Sequence, residues 1–163
     1  MKKENRAHEN GLKGLKNVEK VLTGMGWQPE TTDTEGLLLV DFSQEDIPVV
    51  NATADVRIDY ERFLYYLNFR GQASPKYRQE TMEFVTRVNY DLITGNFELN
   101  LDNGSLRFKS SIDFTEAELS EILIRDIIKS AKDVVELYGD ALMEVMKGKK
   151  KAIQALEDAE NTL

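Results

Sequence analysis

The sequence has 163 residues, a formal net charge of −8 at pH 7 and no cysteine. This length fits a single domain that buries roughly two-thirds of its unfolded surface. The acidic balance argues against a nucleic-acid backbone or an anionic membrane as partner, because both bind cationic proteins. The lack of cysteine excludes disulfides, thiolate metal sites and cysteine nucleophiles. No apolar run approaches the roughly 20 residues of a membrane span, and the N-terminus lacks the apolar segment of a secretory signal, so we expect a cytoplasmic protein.

The first predicted element is a helix from about Asn10 to Met25, where apolar residues recur at helical spacing. Gly24 and Gly26 supply the signal for its C-terminus. The preceding residues 1–10 are polar, and we expect them to be frayed. Trp27 follows the helix and is interpreted as a cover over the edge of the core.

Three strands are predicted next, over residues 37–42, 50–60 and 62–70. The first is a short apolar run, and in the other two apolar and polar residues alternate with a period of two. Leu64 and Tyr66 lie on the outer face of the third strand, although a solvent-facing surface does not require such large apolar side chains. We therefore expect a helix or a partner chain to cover them.

A second helix is predicted to begin at Ser74 as N-cap, with Pro75 at its first position, and to continue to Leu92. Arg87 and Asn89 flank its apolar stripe near the C-terminus. Asn89 is expected to end the helix or to bond a strand carbonyl. Arg87 is expected to pair with a carboxylate, with binding of a ligand as the alternative.

The strongest hairpin signal is Asn103-Gly104, because a type I′ turn needs a positive φ at both of its central residues. A two-residue turn at this place predicts that Leu101 lies opposite Leu106 and that Glu98 lies opposite Lys109. In this register the apolar side chains share one face. One apolar and one polar face are typical of an antiparallel sheet.

Thr115 and Glu118 form a capping box that predicts the start of a third helix. Its apolar stripe runs to Val145 and is wider than a single packing face needs. Residues 149–163 are charged and are interpreted as a loosely attached helical extension or a disordered tail, which leaves residues 1–148 as the domain. The resulting order α-β-β-β-α-β-β-α predicts an α+β fold with an antiparallel sheet of about five strands and helices on one face.

The sequence contains no recognisable catalytic or metal-binding constellation. Its only histidine, His8, lies in the polar N-terminus, so we expect neither a histidine-activated nucleophile nor a zinc site. The glycines around the first helix follow no strand and therefore make no phosphate-binding loop. Acidic residues crowd the first two strands but match no calcium-loop spacing, so they are interpreted as a solvated face, with an acidic docking face or a divalent-ion site as the alternatives. We predict no catalytic residue, no metal and no cofactor.

Several short segments, in this order, resemble the bacterial YbjN family. They are Gly24-Met25-Gly26-Trp27, Leu39-Val40-Asp41-Phe42, Ile47-Pro48-Val49-Val50, Phe84-Val85-Thr86-Arg87-Val88-Asn89-Tyr90, Gly95-Asn96-Phe97-Glu98-Leu99, Asp102-Asn103-Gly104, Arg107-Phe108 and Ile112-Asp113. The resemblance extends from about Leu12 to Gly148. Members commonly show Asn-Arg-x-Asn where this chain has Thr86-Arg87-Val88-Asn89, so the first asparagine is replaced.

The resemblance implies a type III secretion chaperone-like fold, and the element order predicted from periodicity agrees with it. It also implies a non-enzymatic role as a regulator. Secretion chaperones of this fold are usually dimers that present a sheet face or groove to an extended client.

We therefore predict a protein-binding module, YbjN-like or chaperone-like, whose partner is another protein or a second copy in a homodimer. Nucleic acid and membrane are not expected as partners. The candidate partner-binding residues are Leu64, Tyr66, Arg87 and Asn89. The alternative is a small-molecule sensor that binds a metabolite between the sheet and the helices, near Trp27, Tyr66 or Arg87. A hydrolase that uses the strand carboxylates is a third hypothesis.

Overall fold

The computed structural model describes residues 3–161, along which four α-helices and six β-strands occur. The helices are α1 (Lys3–Gly24), α2 (Arg78–Asp91), α3 (Glu121–Met146) and α4 (Ala152–Glu160). The strands are β1 (Glu30–Thr31), β2 (Leu37–Asp41), β3 (Val49–Arg57), β4 (Arg62–Phe69), β5 (Asn96–Leu99) and β6 (Leu106–Asp113). A short 3₁₀ helix, Ile58–Tyr60, links β3 to β4.

The strands form one antiparallel sheet in the order β1-β2-β3-β4-β6-β5. The predicted α+β class is therefore confirmed. The sheet has six strands instead of about five, because Glu30 pairs with Leu39 and Thr31 pairs with Leu38. Two residues cannot display an alternating pattern, so periodicity does not reveal β1.

The sheet has one buried and one open side, as the alternation along β4 shows. Every second residue of this strand lies in the core, and the residues between them are half-buried. The buried side chains of β4 are Phe63, Tyr65, Leu67 and Phe69. The same core contains residues from α1, α2 and α3, such as Val18, Phe84 and Ile128. The helices therefore pack on this side of the sheet.

Helix α1 begins at Lys3, well before the start predicted near Asn10. The side-chain amide of Asn10 donates to Glu61 Oε1 over 2.6 Å, so contacts with the segment after β3 hold the first turns of the helix. Gly11 permits this approach, since a Cβ at Gly11 would lie 2.2 Å from the carbonyl oxygen of Ile58. The predicted fraying is wrong for the described part of this segment, because tertiary contacts replace the missing apolar stripe.

Strands β5 and β6 form the predicted hairpin, but their register differs by two residues from the predicted one. Leu99, not Leu101, pairs with Leu106, so the type I′ turn is wrong. A shift by two residues preserves which side chains share a face, except that Leu101 moves into the loop and is 55% exposed. Two contacts accompany this register: Asn100 Oδ1 accepts the N–H of Asp102 within the loop, and Gly104, at φ +79°, lies so close to Ala73 that a Cβ would come within 2.1 Å of the Ala73 carbonyl oxygen.

Both helix starts predicted from capping residues are also wrong. Helix α2 begins at Arg78, because residues 74–77 form a separate turn before it. Helix α3 is capped by Ser120, whose hydroxyl accepts a backbone N–H, and not by Thr115. Glu116 has a φ of +61°, which is incompatible with a helix that starts at Thr115.

The charged C-terminal segment contains α4, a helix that packs against α2 and α3. Ala152, Ala155 and Ala159 are buried in this contact. The carboxylate of Glu80 on α2 accepts the backbone N–H of Ala152 over 2.8 Å and the ammonium of Lys151 over 2.9 Å. A carboxylate at a helix N-terminus is favourable, since it satisfies a free N–H and complements the helix dipole.

Candidate functional site

We call the side of the sheet opposite the helices the open face. Strand alternation places polar and apolar residues on it together. Its members include Leu37, Leu39, Asn51, Thr53, Asp55, Leu64, Tyr66, Asn68, Arg107 and Lys109. Apart from Asp55 they are half-buried or exposed, whereas the alternate residues of the same strands form the core.

Leu64 and Tyr66 lie in the middle of the open face, as the period-two pattern of their strand predicts. Tyr66 has Thr53 on one side and Lys109 on the other. Leu64 lies beside Asp55 on the neighbouring strand β3. Each of the two half-buried apolar side chains therefore has polar cross-strand neighbours.

The ring of Tyr66 is covered by a cation. The guanidinium of Arg107 lies 4.3 Å from the ring centroid, which is a cation–π contact. Glu98 holds Arg107 at 2.6 Å and Lys109 at 2.5 Å. Partial burial acts to raise the pKa of Glu98, but the hydrogen bonds from Lys109 and Arg107 outweigh it and keep the pKa below its ordinary value. The ion pairs of Glu98 with Arg107 and Lys109 therefore hold the Arg107 guanidinium over the ring of Tyr66.

The polar side chains of the open face are bonded to one another. Asn68 Nδ2 donates to Asn51 Oδ1 over 2.7 Å and to Thr53 Oγ1 over 3.1 Å. Asp55 accepts a hydrogen bond from Arg57 over 2.8 Å. Because these polar groups have partners already, another molecule would cover them at little cost in lost hydrogen bonds.

Two further apolar residues of the open face, Leu37 and Leu39, are missing from the predicted candidates. The sequence shows an uninterrupted apolar run at 37–40, which predicts a strand but does not by itself indicate which of its residues face outwards. In the structure Leu38 and Val40 are buried, whereas Leu37 and Leu39 are half-buried on the open face. An apolar run without alternation is itself the signal, since it indicates that both faces of a strand are to be covered.

Arg87 and Asn89 lie on α2 and not on the open face. The guanidinium of Arg87 pairs with the carboxylate of Glu83 over 2.7 Å, one helical turn away. Asn89 bonds both backbone groups of Phe97 on β5. The four candidate residues therefore belong to two separate parts of the molecule.

A cleft of 330 Å³ opens between the sheet and α3. Its walls include Trp27, Phe42, Ile47, Tyr65 and Val135. The rings of Trp27 and Phe42 meet edge to face at 5.3 Å. Burial raises the pKa of the Tyr65 phenol, so this hydroxyl stays protonated at any physiological pH. Of the three residues expected near a ligand, Trp27 lines this cleft, whereas Tyr66 and Arg87 do not.

The residues that the structure describes include one histidine and no cluster of metal-binding side chains. His8 lies in α1 with its Nδ1 2.8 Å from Asp59 Oδ1, an exposed contact. Within residues 3–161 no three or more histidine, aspartate and glutamate side chains gather as a metal site would require.

Within residues 3–161, no helix has the length and apolar character that crossing a membrane demands. The fraying predicted for residues 1 and 2 lies outside the described residues.

The model of the YbjN family, described as "Putative bacterial sensory transduction regulator", matches residues 15–144 of this chain. Among solved structures, the chain is similar to YbjN from E. coli, with 16% identity and a TM-score of 0.56 over 74% of this chain and 87% of that chain. A chain of the ExsC–ExsE complex is similar at 17% identity and a TM-score of 0.55, over 78% of this chain and 92% of that chain.

An uncharacterized protein from Methanothermobacter thermautotrophicus is similar at 14% identity and a TM-score of 0.50, over 83% of this chain and 98% of that chain. A comparison with curated protein sequences finds no match. Identities this low show the fold and nothing about ligands or partners. The predicted resemblance and the predicted chaperone-like fold are both confirmed.

Proposed function

Because the chain belongs to the YbjN family, we propose that it is a regulatory protein that acts by binding another protein chain and converts no substrate. The family description names a regulator, and the fold is shared with a chain of the ExsC–ExsE complex, an assembly of two proteins. We place this activity in the cytoplasm. The cysteine-free sequence is compatible with a compartment where disulfides do not form.

The open face is the observation that supports this proposal best. Leu64, Tyr66, Leu37 and Leu39 are apolar, while the polar groups around them are already bonded to one another. Complete burial of a fully exposed large apolar side chain contributes about 1.5–3 kcal/mol, and part of this remains to be gained at these half-buried residues. A partner that covers this face gains that energy and leaves few polar groups without a hydrogen bond.

We propose a second copy of the chain as the partner that covers the open face, in a homodimer. The test is the molar mass in solution, measured by light scattering over a wide concentration range. Leu64→Glu should abolish the dimer because it places a carboxylate beside Asp55 in the interface. Tyr66→Glu should abolish it because it replaces a large apolar ring in the interface by a charged group. Met82→Glu is the matched control, since Met82 is apolar and 42% exposed on α2, and the dimer should survive this change.

Two results would count against this proposal. A dimer that tolerates both substitutions would place the interface elsewhere. A chain that stays monomeric at every concentration and retains no protein in pull-down experiments would remove the protein-binding function itself. Contacts between a partner and Arg87 or Asn89 stay a prediction, since both side chains have partners within the chain.

A second candidate function is small-molecule sensing, which the apolar cleft beside Trp27 favours. Its volume of 330 Å³ lies at the lower end of the range for ligand pockets, and its walls are mainly apolar. A metabolite that binds here should raise the melting temperature and change the emission of Trp27, the only tryptophan. Tyr66→Glu should leave this response intact because Tyr66 lies on the other side of the sheet. No shift with any class in a metabolite library would exclude this function.

A further inference from the structure

The edge of the sheet beside α3 is incomplete. Strand β5 begins at Asn96, which pairs with Lys109, whereas β6 continues to Asp113. Gly95, at φ +74°, turns the chain away from the edge, and the adjacent side chains leave no space for a Cβ there. Residues 110–113 therefore pair with β4 on one side and, within residues 3–161, with no strand on the other.

The backbone groups of Ser111 and Asp113 point towards this missing neighbour. In an antiparallel pair, hydrogen-bonded and non-hydrogen-bonded positions alternate. The N–H of Phe114 donates to the carbonyl of Glu61 across the same two chains, so the alternation directs Ser111 and Asp113 away from β4. In the described part of the chain, no backbone hydrogen bond reaches these groups.

The neighbouring stretch of the same edge is covered. The N–H and C=O of Phe97 on β5 also point outwards, and both are bonded by the side chain of Asn89. Native proteins commonly cover or pair such edges, because free edges attract other strands. One stretch of this edge is therefore covered, whereas the backbone groups of Ser111 and Asp113 are left open.

A groove of 220 Å³ runs along the free edge, where β5 would lie if it extended further. Its apolar wall consists of Ile112 from β6 and of Leu123 and Ile127 from α3. Ser110 also lines the groove, and its hydroxyl is buried without a hydrogen-bond partner among the described residues. The groove thus combines free backbone groups with an apolar wall.

Two exposed isoleucines are next in sequence to lining residues, and the lining itself carries one negative charge. Ile93 is 98% exposed and Ile122 is 71% exposed, and each precedes a residue that lines the groove. Asp126 is the charged residue in the lining. Its charge acts on Lys129, three residues further along the helix, but the ammonium of Lys129 is paired with Asp133, so Asp126 has no direct ion pair within residues 3–161. With a net charge of −8 on the whole chain, the groove suits a basic occupant.

We propose that this edge binds an extended segment of a partner protein as an additional strand. The segment carries an apolar side chain that packs on Leu123 and a lysine or arginine that pairs with Asp126. Two N–H and two C=O groups, at Ser111 and Asp113, bond its backbone. The inference rests on the proposed protein-binding function, but it concerns a different surface from the open face.

The test selects ligands from a display library of random ten-residue peptides. Selected peptides should combine alternating apolar residues with a basic residue. Ser111→Pro removes the outward N–H without touching the bonds to β4, so it should weaken peptide binding at least about tenfold while the circular dichroism spectrum stays unchanged. Ser111→Ala, the matched control, keeps the backbone groups and should bind as the wild type does.

A second variant covers the case in which Ser111→Pro does not fold. Asp126→Lys changes an exposed helical side chain and should turn the selected preference from basic to acidic peptides. Amide hydrogen exchange supplies an independent readout. The amides of Ser111 and Asp113 should exchange quickly in the free protein and become protected when a selected peptide is added.

Three results would overturn the inference: no peptide is enriched, a folded Ser111→Pro variant binds as the wild type does, or Asp126→Lys leaves the preference unchanged. Protection of Ser111 that rises with protein concentration alone would also overturn it, because a second copy would then occupy the edge. Tyr66→Glu separates this site from the open face. Peptides that bind Ser111→Pro but not Tyr66→Glu would refute the edge site and leave the proposed protein-binding function standing.

Discussion

Asn89 and Phe97 exchange two hydrogen bonds, although one lies on a helix and the other on a strand. Asn89 Nδ2 donates to the carbonyl of Phe97 over 2.9 Å, and the N–H of Phe97 donates to Asn89 Oδ1 over 2.8 Å. A carboxamide presents a donor and an acceptor side by side, so it satisfies one strand residue as a neighbouring strand would. This contact closes the β5 edge and attaches the end of α2 to the sheet.

Removal of this contact should be costly. We predict that Asn89→Ala lowers the free energy of unfolding by about 2 kcal/mol, because two backbone groups at the sheet edge lose their partners. Arg87→Ala should cost less than about 0.5 kcal/mol, since it breaks only an exposed pair with Glu83 one turn away. Urea denaturation of both variants measures the difference. If Asn89→Ala lowered the free energy of unfolding no more than the small amount expected for Arg87→Ala, the Asn89 contact would add little to the stability of the fold.

Two glycines of α1 should respond to alanine in opposite directions. Gly11→Ala should destabilise the protein by about 1–3 kcal/mol, because the new Cβ would lie 2.2 Å from the carbonyl oxygen of Ile58. At Gly24 a Cβ would meet only the guanidinium of Arg125 at 3.7 Å, so alanine should stabilise the helix by up to about 1 kcal/mol. The melting temperatures of the two variants show whether helix propensity or the close contact with Ile58 dominates at Gly11.

The attachment of α4 should depend on pH. Hydrogen bonds from the Ala152 N–H and from Lys151 hold the pKa of Glu80 below its ordinary value of 4.5. A carboxyl group with a lowered pKa stabilises the fold above 4.5, and this contribution disappears as the pH falls through the pKa in the folded state. We predict that amide protection in α4 decreases on acidification through this range.

Glu80→Gln provides the control for this prediction. Its amide oxygen can still accept the Ala152 N–H, but it does not titrate. The variant should show weaker protection of α4 at neutral pH and no change with pH over the same interval. A pH dependence that remains in Glu80→Gln would assign the effect to another carboxyl group.

The hairpin register can be checked with two leucines. In the observed register Leu106 is buried opposite Leu99, whereas Leu101 lies in the loop and is 55% exposed. Leu106→Ala should therefore destabilise the protein by about 2–5 kcal/mol. Leu101→Ala should change stability by less than about 0.5 kcal/mol. Comparable losses at the two positions would favour the register with a two-residue turn.

The candidate surface could be predicted only in part. Period-two alternation identifies Leu64 and Tyr66 as outward residues of their strand, and the structure places both on the open face. Arg87 and Asn89 are adjacent to an apolar stripe in sequence, but their partners are set by geometry that no local pattern contains. The free edge of β6 was not foreseen, because it depends on where β5 begins.

By itself, the sequence determined the α+β class, the order of the long elements and the faces of the alternating strands. These properties follow from periodicity and from turn-forming residues, which act over a few neighbouring positions. Only the tertiary structure decided the hairpin register, the start of α1 and the incomplete edge. Each depends on close approach between distant segments, such as Gly104 against Ala73 and Gly11 against Ile58. Local patterns cannot specify such contacts, because the backbone of one segment limits the conformations and side chains that a distant segment can have.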